Sequence, residues 1–273
     1  MTQSQLAQLV VAALIDEVRL TPKPGLVDRR GSGAHVDLDL ARMVRSANSL
    51  RSSFGAMAAI AQGRKPSQCL REELAAIGRD AERAMMVATA GSNAHRGAIW
   101  TLGLLVAGAV MAGSGGSVFA IAERAAAVAR YPDRFATRSS SNGSRVSMRY
   151  GVPGARGEAV AGFPHVVAIG LPRLAAARAR GCTEDEARLD TLMAIMASLD
   201  DTCLLHRGGR TALDAAKNGA RAVLAYGGTS TSAGRHALLQ LDAHLVALNA
   251  SPGGSADLLS AVLLLDALSS FSS

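Results

Sequence analysis

Aromatic side chains are scarce in this sequence, which has one Trp, three Tyr and five Phe among 273 residues. Proteins that hold single-stranded nucleic acid stack its bases on aromatic rings, so the scarcity argues against a nucleic-acid partner. Because 49% of the residues are nevertheless apolar, the core must consist mainly of Ala, Leu, Val, Ile and Met. Runs rich in Val, Ile, Thr and Tyr, which are typical of strands, are also few. The composition therefore favours a helical protein.

Cysteines and long apolar runs are few as well. Cys69, Cys182 and Cys203 are odd in number and lack CxxC spacing, which argues against a disulfide framework or a thiolate zinc site and predicts a cytoplasmic protein. The longest uncharged apolar run, residues 98–112, is shorter than the roughly 20 residues that cross a bilayer. We therefore predict a buried central helix there and no membrane association. The first twenty residues predict an amphipathic helix instead of a signal peptide.

Helical periodicity recurs along the whole chain, with apolar residues three and four positions apart. We predict a single all-α domain over residues 1–273, a bundle-like arrangement of roughly ten helices with the active site in loops at helix ends. The predicted helical patterns cover residues 6–18, 40–60, 69–87, 95–112, 118–129, 158–180, 184–205, 211–225, 232–248 and 256–271.

The segment from residue 21 to residue 39, TPKPGLVDRRGSGAHVDLD, is dense in charge but cannot be helical. Its two prolines fix φ and lack N–H donors, and its three glycines allow the backbone to turn or to approach a ligand closely. Ordering such a segment costs conformational freedom, so its charge predicts a binding role. Its charged and titratable residues are Lys23, Asp28, Arg29, Arg30, His35, Asp37 and Asp39.

Four further glycine-containing interruptions carry charge at the predicted edges of helices. They are AGSNAHRG (residues 90–97), YGVPGARGEAVAGFP (150–164), LDDTCLLHRGG (199–209) and NASPGGSADLL (249–259). Backbone amides at helix amino ends together with arginines make phosphate sites, and the formal charge of +7 suits an anionic partner. A polar stretch at residues 138–149, RSSSNGSRVSMR, instead predicts a mobile surface loop.

The five segments together resemble the triphosphoribosyl-dephospho-CoA synthase family. The matching motifs are TPKPGLVD…SGAH, SNAHRGAI, GARGEAVAGFP, DDTCLLHRGG and SPGGSADLL, and they follow in the family's order over almost the whole chain. DDTCLLHRGG is closer to the branch that serves malonate decarboxylase than to the one that serves citrate lyase. The chain departs from the family pattern at Ala94 and Arg96, where the family has Thr and Lys, and at Cys203, where Asn is usual and offers an amide contact.

The resemblance implies an all-helical enzyme that transfers a triphosphoribosyl group from ATP to the ribose 2′-hydroxyl of 3′-dephospho-CoA and releases adenine. It also implies Mg²⁺ bound with ATP, and a product that passes to an acyl-carrier-protein holo-synthase. The apolar C-terminal helix at residues 258–268 packs either internally or against a second subunit, so a homodimer is one expectation.

Cleavage of the ribose–adenine bond builds positive charge on the sugar and negative charge on the purine, so carboxylates and a proton donor are needed. With the resemblance, we assign catalysis to Glu158, Asp200 and Asp201, and Mg²⁺ binding to Asp28, Asp37, Asp200 and Asp201. The expected substrate and phosphate contacts are Lys23, Gly25, Arg29, His35, His95, Arg96, Gly97, Arg156, Gly157, His206, Arg207, Gly208, Gly209, Ser251, Gly253, Gly254 and Ser255.

Two alternatives remain open at this point. The first is a Mg²⁺-dependent hydrolase of ADP-ribose-like N-glycosidic bonds, which would use the same carboxylates with water as nucleophile. The second is a nucleotide or coenzyme sensor without catalysis. The sequence also leaves open which carboxylate is the base and which binds the metal.

Overall fold

The computed structural model describes residues 1–136 and 141–270, and this part of the chain is helical with no β-strand, as predicted. The helices are α1 (Gln3–Arg19), α2 (Leu40–Ser49), α3 (Arg51–Ala61), α4 (Gln68–Ala88), α5 (Arg96–Ala112), α6 (Val118–Ala129), α7 (Asn142–Tyr150), α8 (Gly154–Val160), α9 (Leu171–Ala179), α10 (Glu184–Ser198), α11 (Thr202–Ala225), α12 (Ser232–Ala247) and α13 (Gly253–Ser270), with a π-helical segment (His165–Gly170) directly before α9.

Helices α5 and α13 form the centre of the fold. Helix α5 packs against α3, α4, α6 and α13, and α13 also contacts α1, α10 and the π-helical segment. Leu102 and Leu105 of α5 and Leu264 of α13 are completely buried. The prediction of a buried central helix at residues 98–112 is therefore confirmed. Because Asp257 near the amino end of α13 lies against Gly97 near the amino end of α5, the SNAHRG and SPGGS motifs lie in one region.

Three predicted helices are interrupted. The pattern at residues 40–60 is two helices that meet at Leu50, and the pattern at residues 158–180 is divided into α8, the π-helical segment and α9. The second division follows from Gly162, which has a φ of 84°, and from Pro164, which lacks a backbone donor. The pattern at residues 184–205 ends at Ser198, because Leu199 is extended and Asp201 caps the next helix.

The loop predicted at residues 138–149 is in large part a helix, so that prediction is wrong for residues 142–149. Ser141 accepts a hydrogen bond from the amide of Ser144, and Gly151 ends α7 with a left-handed backbone. These two caps outweigh the weak helix propensity of Ser, Asn and Gly. The beginning of the predicted loop, residues 138–140, lies outside the described residues.

Over residues 1–136 and 141–270, no single helix has the length and hydropathy of a membrane span. Helix α8 and residues 165–179 reach that threshold only as a pair, and the two are bent by 77° relative to each other.

Candidate active site

The opening segment and the amino-terminal regions of α5, α11 and α13 lie against one another. His35 Nε2 is 2.9 Å from Ser251 Oγ, and Ser92 Oγ donates to the carbonyl of Asp37 at 3.2 Å. The amide of Ser255 donates to Asp201 at 2.8 Å. Four of the five charged interruptions, distant in sequence, therefore share one region of the molecule.

The fifth interruption, GARGE, adjoins this region through α11. A β-carbon at Gly154 would lie 3.4 Å from Cγ2 of Thr202, which follows Asp201 directly. Trp100 of α5 donates from Nε1 to the carbonyl of Ala155 at 3.1 Å. Helix α8 is thus held between α5 and the start of α11.

The opening segment is folded around the carboxylate of Asp28. This carboxylate accepts from the amide of Lys23 at 2.9 Å, from the amide of Arg30 at 2.7 Å and from the Arg30 guanidinium at 2.7 Å. The amide of Gly25 donates to Asp242 of α12 at 2.9 Å, and Arg30 binds the same carboxylate. Arg29 donates from Nε to the carbonyl of Arg19. Arg30, which sequence analysis did not select, is therefore the arginine that organises the segment.

Gly25 can be replaced by no other residue without a shift in the backbone. Its φ is +66°, in the left-handed region, and a β-carbon there would lie 2.5 Å from the carbonyl oxygen of Ala250. This close approach joins the opening segment to the loop before α13.

Lys23 lies inside the protein, with 1% of its surface exposed, and its ammonium is 2.5 Å from the carboxylate of Glu17 in α1. Burial raises the pKa of Glu17, and the charge of Lys23 opposes this effect. In this arrangement the ammonium neutralises a buried carboxylate, and its predicted contact with phosphate stays a prediction.

Asp201 caps two helices at once. Its carboxylate accepts from the amide of Cys203 in α11 at 2.8 Å, and from the amide and the hydroxyl of Ser255 in α13 at 2.8 and 2.9 Å. The amide of Gly254 adds a fourth hydrogen bond at 3.2 Å. Asp201 is 1% exposed, and burial raises its pKa despite these donors. Its neighbour Asp200 is 45% exposed in its side chain and pairs with Lys217 at 2.5 Å.

Asp257, the fifth residue of α13, lies against the amino end of α5. A β-carbon at Gly97 would overlap its Oδ2, so the absence of a side chain at Gly97 makes room for the carboxyl group. Burial first, and then the charges of Glu17 and Asp201, raise the pKa of Asp257 well above its usual range, although the amide of Ala98 acts against them. The half-buried Asp257 is therefore favoured in its protonated form.

His95, at the start of α5, is 3% exposed. Its Nδ1 is 2.7 Å from Oγ of Ser46, and its Nε2 has no hydrogen-bond partner. Burial and the charge of Lys23 lower its pKa to about 4, so the ring is neutral at pH 7. A buried polar nitrogen without a partner is unusual in a folded protein, which marks this ring as a candidate ligand contact.

His35 has a defined tautomer, because Arg207 can only donate. Nη2 of Arg207 lies 2.9 Å from Nδ1 of His35, so Nδ1 accepts and Nε2–H donates to Ser251. Burial and the Arg207 charge lower the pKa of His35 to about 4, in agreement with a neutral ring. The exposed Asp37 is 3.6 Å from the same Nδ1.

The remaining predicted residues have mixed surroundings. Glu158 is 6% exposed and accepts from the amide of His165 at 2.8 Å and from its Nδ1 at 2.7 Å. Arg96 pairs with Glu82 at 3.0 Å, and His206 is exposed.

Gly209 interrupts α11 with a φ of 63°, which separates the turn with Arg207 and Gly208 from the rest of that helix. Gly157 lies within α8 beside Arg156, and Gly253 is close to Cys203.

The carboxylates predicted to bind Mg²⁺ do not form a cage. Asp28 and Asp201 have both oxygens engaged by protein donors, and among the described residues no group of three or more His, Cys, Asp or Glu side chains has metal-binding geometry. Asp37 and Asp200 are about half exposed and retain free oxygen positions. The donor set fits a cation that arrives with phosphate and water ligands and takes one or two carboxylates from the protein.

Sequence analysis missed Glu17, Asp257 and His165. Asp257 lies within the SPGGSADLL motif, and an acid in a helix whose other residues are almost all apolar was the available signal. Glu17 and His165 gave no signal of their own, because each gains its significance from one partner, Lys23 or Glu158, that the fold supplies.

A buried carboxyl cluster beside an unpartnered imidazole, at the converging ends of helices, is the kind of site that an enzyme uses for acid–base chemistry. The family model for ATP:dephospho-CoA triphosphoribosyl transferase matches residues 3–273. The chain belongs to this family, and it is an enzyme.

Curated relatives agree with this assignment. The chain is 56% identical over 263 residues to the 2-(5''-triphosphoribosyl)-3'-dephosphocoenzyme-A synthase of Klebsiella pneumoniae, covering 96% of this chain and 94% of the relative. It is 54% identical to proteins named as probable synthases of the same product in Pseudomonas fluorescens, over 97% of this chain and 92% of the relative, and in Stutzerimonas stutzeri, over 97% and 91%. No solved structure matches the chain.

Proposed function

We propose that this enzyme makes 2′-(5″-triphosphoribosyl)-3′-dephospho-CoA from ATP and 3′-dephospho-CoA and releases adenine. The observation that supports this function best is the meeting of the family's motifs around Asp257, a carboxyl group seated against Gly97 and close to Glu17 and Asp201. A purine leaving group needs a proton as its bond to the ribose breaks, and a carboxyl group whose pKa is raised above its usual range is suited to supply it.

The reaction breaks the bond between C1′ of the ATP ribose and N9 of adenine, and forms a bond between C1′ and the 2′-oxygen of dephospho-CoA. The 2′-hydroxyl loses one proton and adenine gains one, so the overall reaction consumes no proton. We assign the proton donated to adenine to Asp257. We assign acceptance of the hydroxyl proton to Asp200, because its carboxylate is 45% exposed and lies 2.5 Å from the ammonium of Lys217.

The other predicted residues keep supporting roles in this proposal. Asp201 fixes the start of α11 next to Asp200, and Glu158, oriented by His165, is a further carboxylate for the positive charge that develops on the ribose. Mg²⁺ bound with ATP would neutralise charge on the triphosphate. Asp37, which has a free oxygen position, is the carboxylate that would hold it, because Asp200 serves as the base in this proposal.

The wider role is inferred from the motif at the start of α11. The sequence DDTCLLHRGG supports the malonate decarboxylase branch over citrate lyase. We propose that the product is the precursor of the prosthetic group of malonate decarboxylase and passes to an acyl-carrier-protein holo-synthase. A cytoplasmic homodimer is part of the same proposal.

Mass spectrometry of the product formed from ATP, Mg²⁺ and dephospho-CoA, with adenine measured in parallel, tests the function. We expect equal amounts of adenine and of the triphosphoribosyl product, and no adenine when dephospho-CoA is left out. Adenine release without the acceptor would indicate a hydrolase. Binding of both nucleotides without any adenine release would indicate a sensor.

A further inference from the structure

A crevice of about 160 Å³ lies between α4 and α5, beside the GARGE helix. Gly78 on α4 lies beside open space, since a β-carbon there would have no neighbour closer than 3.9 Å, whereas Gly103 on α5 makes room for the side chain of Met57. The crevice combines apolar walls with a charged rim. Its walls include Met57, Leu74, Ile99 and Leu104, and its rim includes Arg71, Arg79, Glu82 and Asp133.

Arg71 on this rim is a buried cation that forms no hydrogen bond or ion pair with the described residues. It is 9% exposed, its Nε has no hydrogen-bond acceptor, and its guanidinium lies 4.8 Å from the centre of the Trp100 ring. Burial lowers its pKa. A buried charge without a hydrogen-bonded counter-ion destabilises a folded protein, so its position next to an open crevice indicates a ligand that supplies the missing anion.

The acids around Arg71 are already engaged. Asp133 pairs with Arg79 at 2.7 Å, and Glu82 pairs with Arg96 at 3.0 Å. Asp133 and Glu72 act on Arg71 through space and oppose the fall in its pKa, but neither forms a hydrogen bond or ion pair with it.

Arg156, one of the predicted phosphate contacts, adds a second cation. Its charge lowers the pKa of Arg71, which places the two guanidinium groups within electrostatic reach of each other. No hydrogen bond or ion pair involves Arg156 in the part of the chain that the structure describes. The hydrogen bond from Trp100 to the carbonyl of Ala155 holds α8, and with it Arg156, beside the crevice. The buried Arg71 and the exposed Arg156, neither of which forms an ion pair among the described residues, are together suited to bind a phosphate group.

We propose that the crevice is the subsite for dephospho-CoA, with a phosphate of its diphosphate between Arg71 and Arg156 and its pantetheine arm along the apolar walls. This assignment rests on the proposed function for the identity of the ligand. The two substrates differ in the group attached to their phosphates. The triphosphate of ATP carries only adenosine. The diphosphate of dephospho-CoA carries adenosine on one side and, on the other, a pantetheine arm whose gem-dimethyl group and chain match walls of Met57, Leu74 and Ile99.

Two small probes separate the phosphate contact from the apolar contact. Calorimetry measures the binding of 4′-phosphopantetheine and of pantetheine, which lacks the phosphate, to the wild-type protein and to Arg71→Met. We expect the phosphate to strengthen binding about 10- to 100-fold in the wild type and less than threefold in the variant. Arg83→Met, on an exposed ion pair of the same helix, is the matched control and should behave as the wild type.

Steady-state kinetics give a second readout. Arg71→Met should raise the KM for dephospho-CoA about 10- to 100-fold and change the KM for ATP less than twofold. Gly78→Leu should raise the same KM without touching any charge, because leucine suits a helix and its side chain would enter the crevice. Thermal denaturation of each variant reports whether the fold is kept, and Arg71→Met should be no less stable than the wild type because it removes an unpaired charge.

Three outcomes would overturn the subsite. They are a rise in the KM for ATP in place of that for dephospho-CoA, an equal effect of the phosphate in wild type and Arg71→Met, and unchanged kinetics in both crevice variants. A failure of the proposed function has a different signature, namely no adenine from the wild type with both substrates present. The binding experiments with the two probes retain their meaning in that case.

Discussion

The carboxyl group of Asp257 occupies the space that a side chain on Gly97 would need. The two residues lie on different helices, 160 positions apart in the chain, and the fit brings an acid to the amino end of α5. The helix dipole and the amide of Ala98 favour the carboxylate there, whereas burial, Glu17 and Asp201 favour the protonated acid and prevail. The net result is a raised pKa of Asp257, which favours the proton on its carboxyl group.

Gly97→Ala should displace the Asp257 carboxyl group and lower kcat for adenine release about 100-fold or more, because a positioned acid contributes about 10²- to 10⁴-fold. Gly55→Ala in α3 is the matched control, since its β-carbon would meet only ordinary contact with Ala7 at 3.9 Å. Adenine release under saturating substrates measures the effect. A kcat for Gly97→Ala within threefold of that of the control would contradict the proposal that Gly97 makes room for a catalytic Asp257 carboxyl group.

Asp257→Asn should abolish most activity and yet stabilise the protein at pH 7. The folded state raises the pKa of Asp257 above its ordinary value of 3.8, so the acid contributes stability below that value and loses it as the pH rises through the folded pKa. Asparagine does not titrate, so the gain in free energy of unfolding should be largest at neutral pH and vanish near pH 3.8. Urea unfolding from pH 4 to 8 measures this gain, and a gain that does not change with pH would exclude the explanation.

Lys23→Met should lower the free energy of unfolding by about 3–5 kcal/mol, because it leaves Glu17 charged and buried without its partner. Glu17→Gln combined with Lys23→Met should recover most of this loss. Urea denaturation of the single and double variants checks both statements. Once urea denaturation has shown that the double variant is folded, its KM for ATP tests whether Lys23 also contacts phosphate. A raised KM would indicate such a contact.

Stability should fall as the pH falls from 6.5 towards 4, and His95 should cause part of the loss. The unfolded chain binds a proton at this residue near pH 6.5, whereas the folded protein does so only at about 4. The stability that is present above pH 6.5 is therefore lost on acidification, and His95 accounts for about 3 kcal/mol of it. His95→Gln should flatten the profile, while His236→Gln on an exposed position should leave it unchanged. Equal slopes in both variants would assign the acid sensitivity to other groups.

Much of the fold could be predicted from periodicity and composition, because long amphipathic and apolar helices leave a strong pattern. The interruptions could not be predicted as well. The helical pattern continues through Leu50 and Leu199, although the backbone ends a helix at each of these residues. Helix α7 was not predicted because its composition is typical of loops. Ser141 and Gly151 lie at its ends, but cap residues also occur in ordinary turns.

The candidate site shows where sequence reasoning stops. The glycines and charged residues of the sequence identified the segments that meet in the candidate site. They did not show which of two neighbouring residues points into it. Arg29 and Arg30 are equivalent in the sequence, and the turn between Asp28 and Gly31 directs only Arg30 to the carboxylates. Asp200 and Asp201 are equally alike, yet one is exposed and the other is enclosed by four donors. Adjacent residues of one type can be distinguished only by tertiary contacts.

The double cap by Asp201 has a consequence for anion recognition. Helix amino ends usually attract phosphate through their free amides, but at α11 and α13 those of Cys203, Gly254 and Ser255 already serve a carboxylate of the protein itself. The enzyme thus places a carboxyl group of its own at this junction. A substrate phosphate could reach these amides only by displacing Asp201, so discrimination among phosphorylated ligands depends on the guanidinium groups instead.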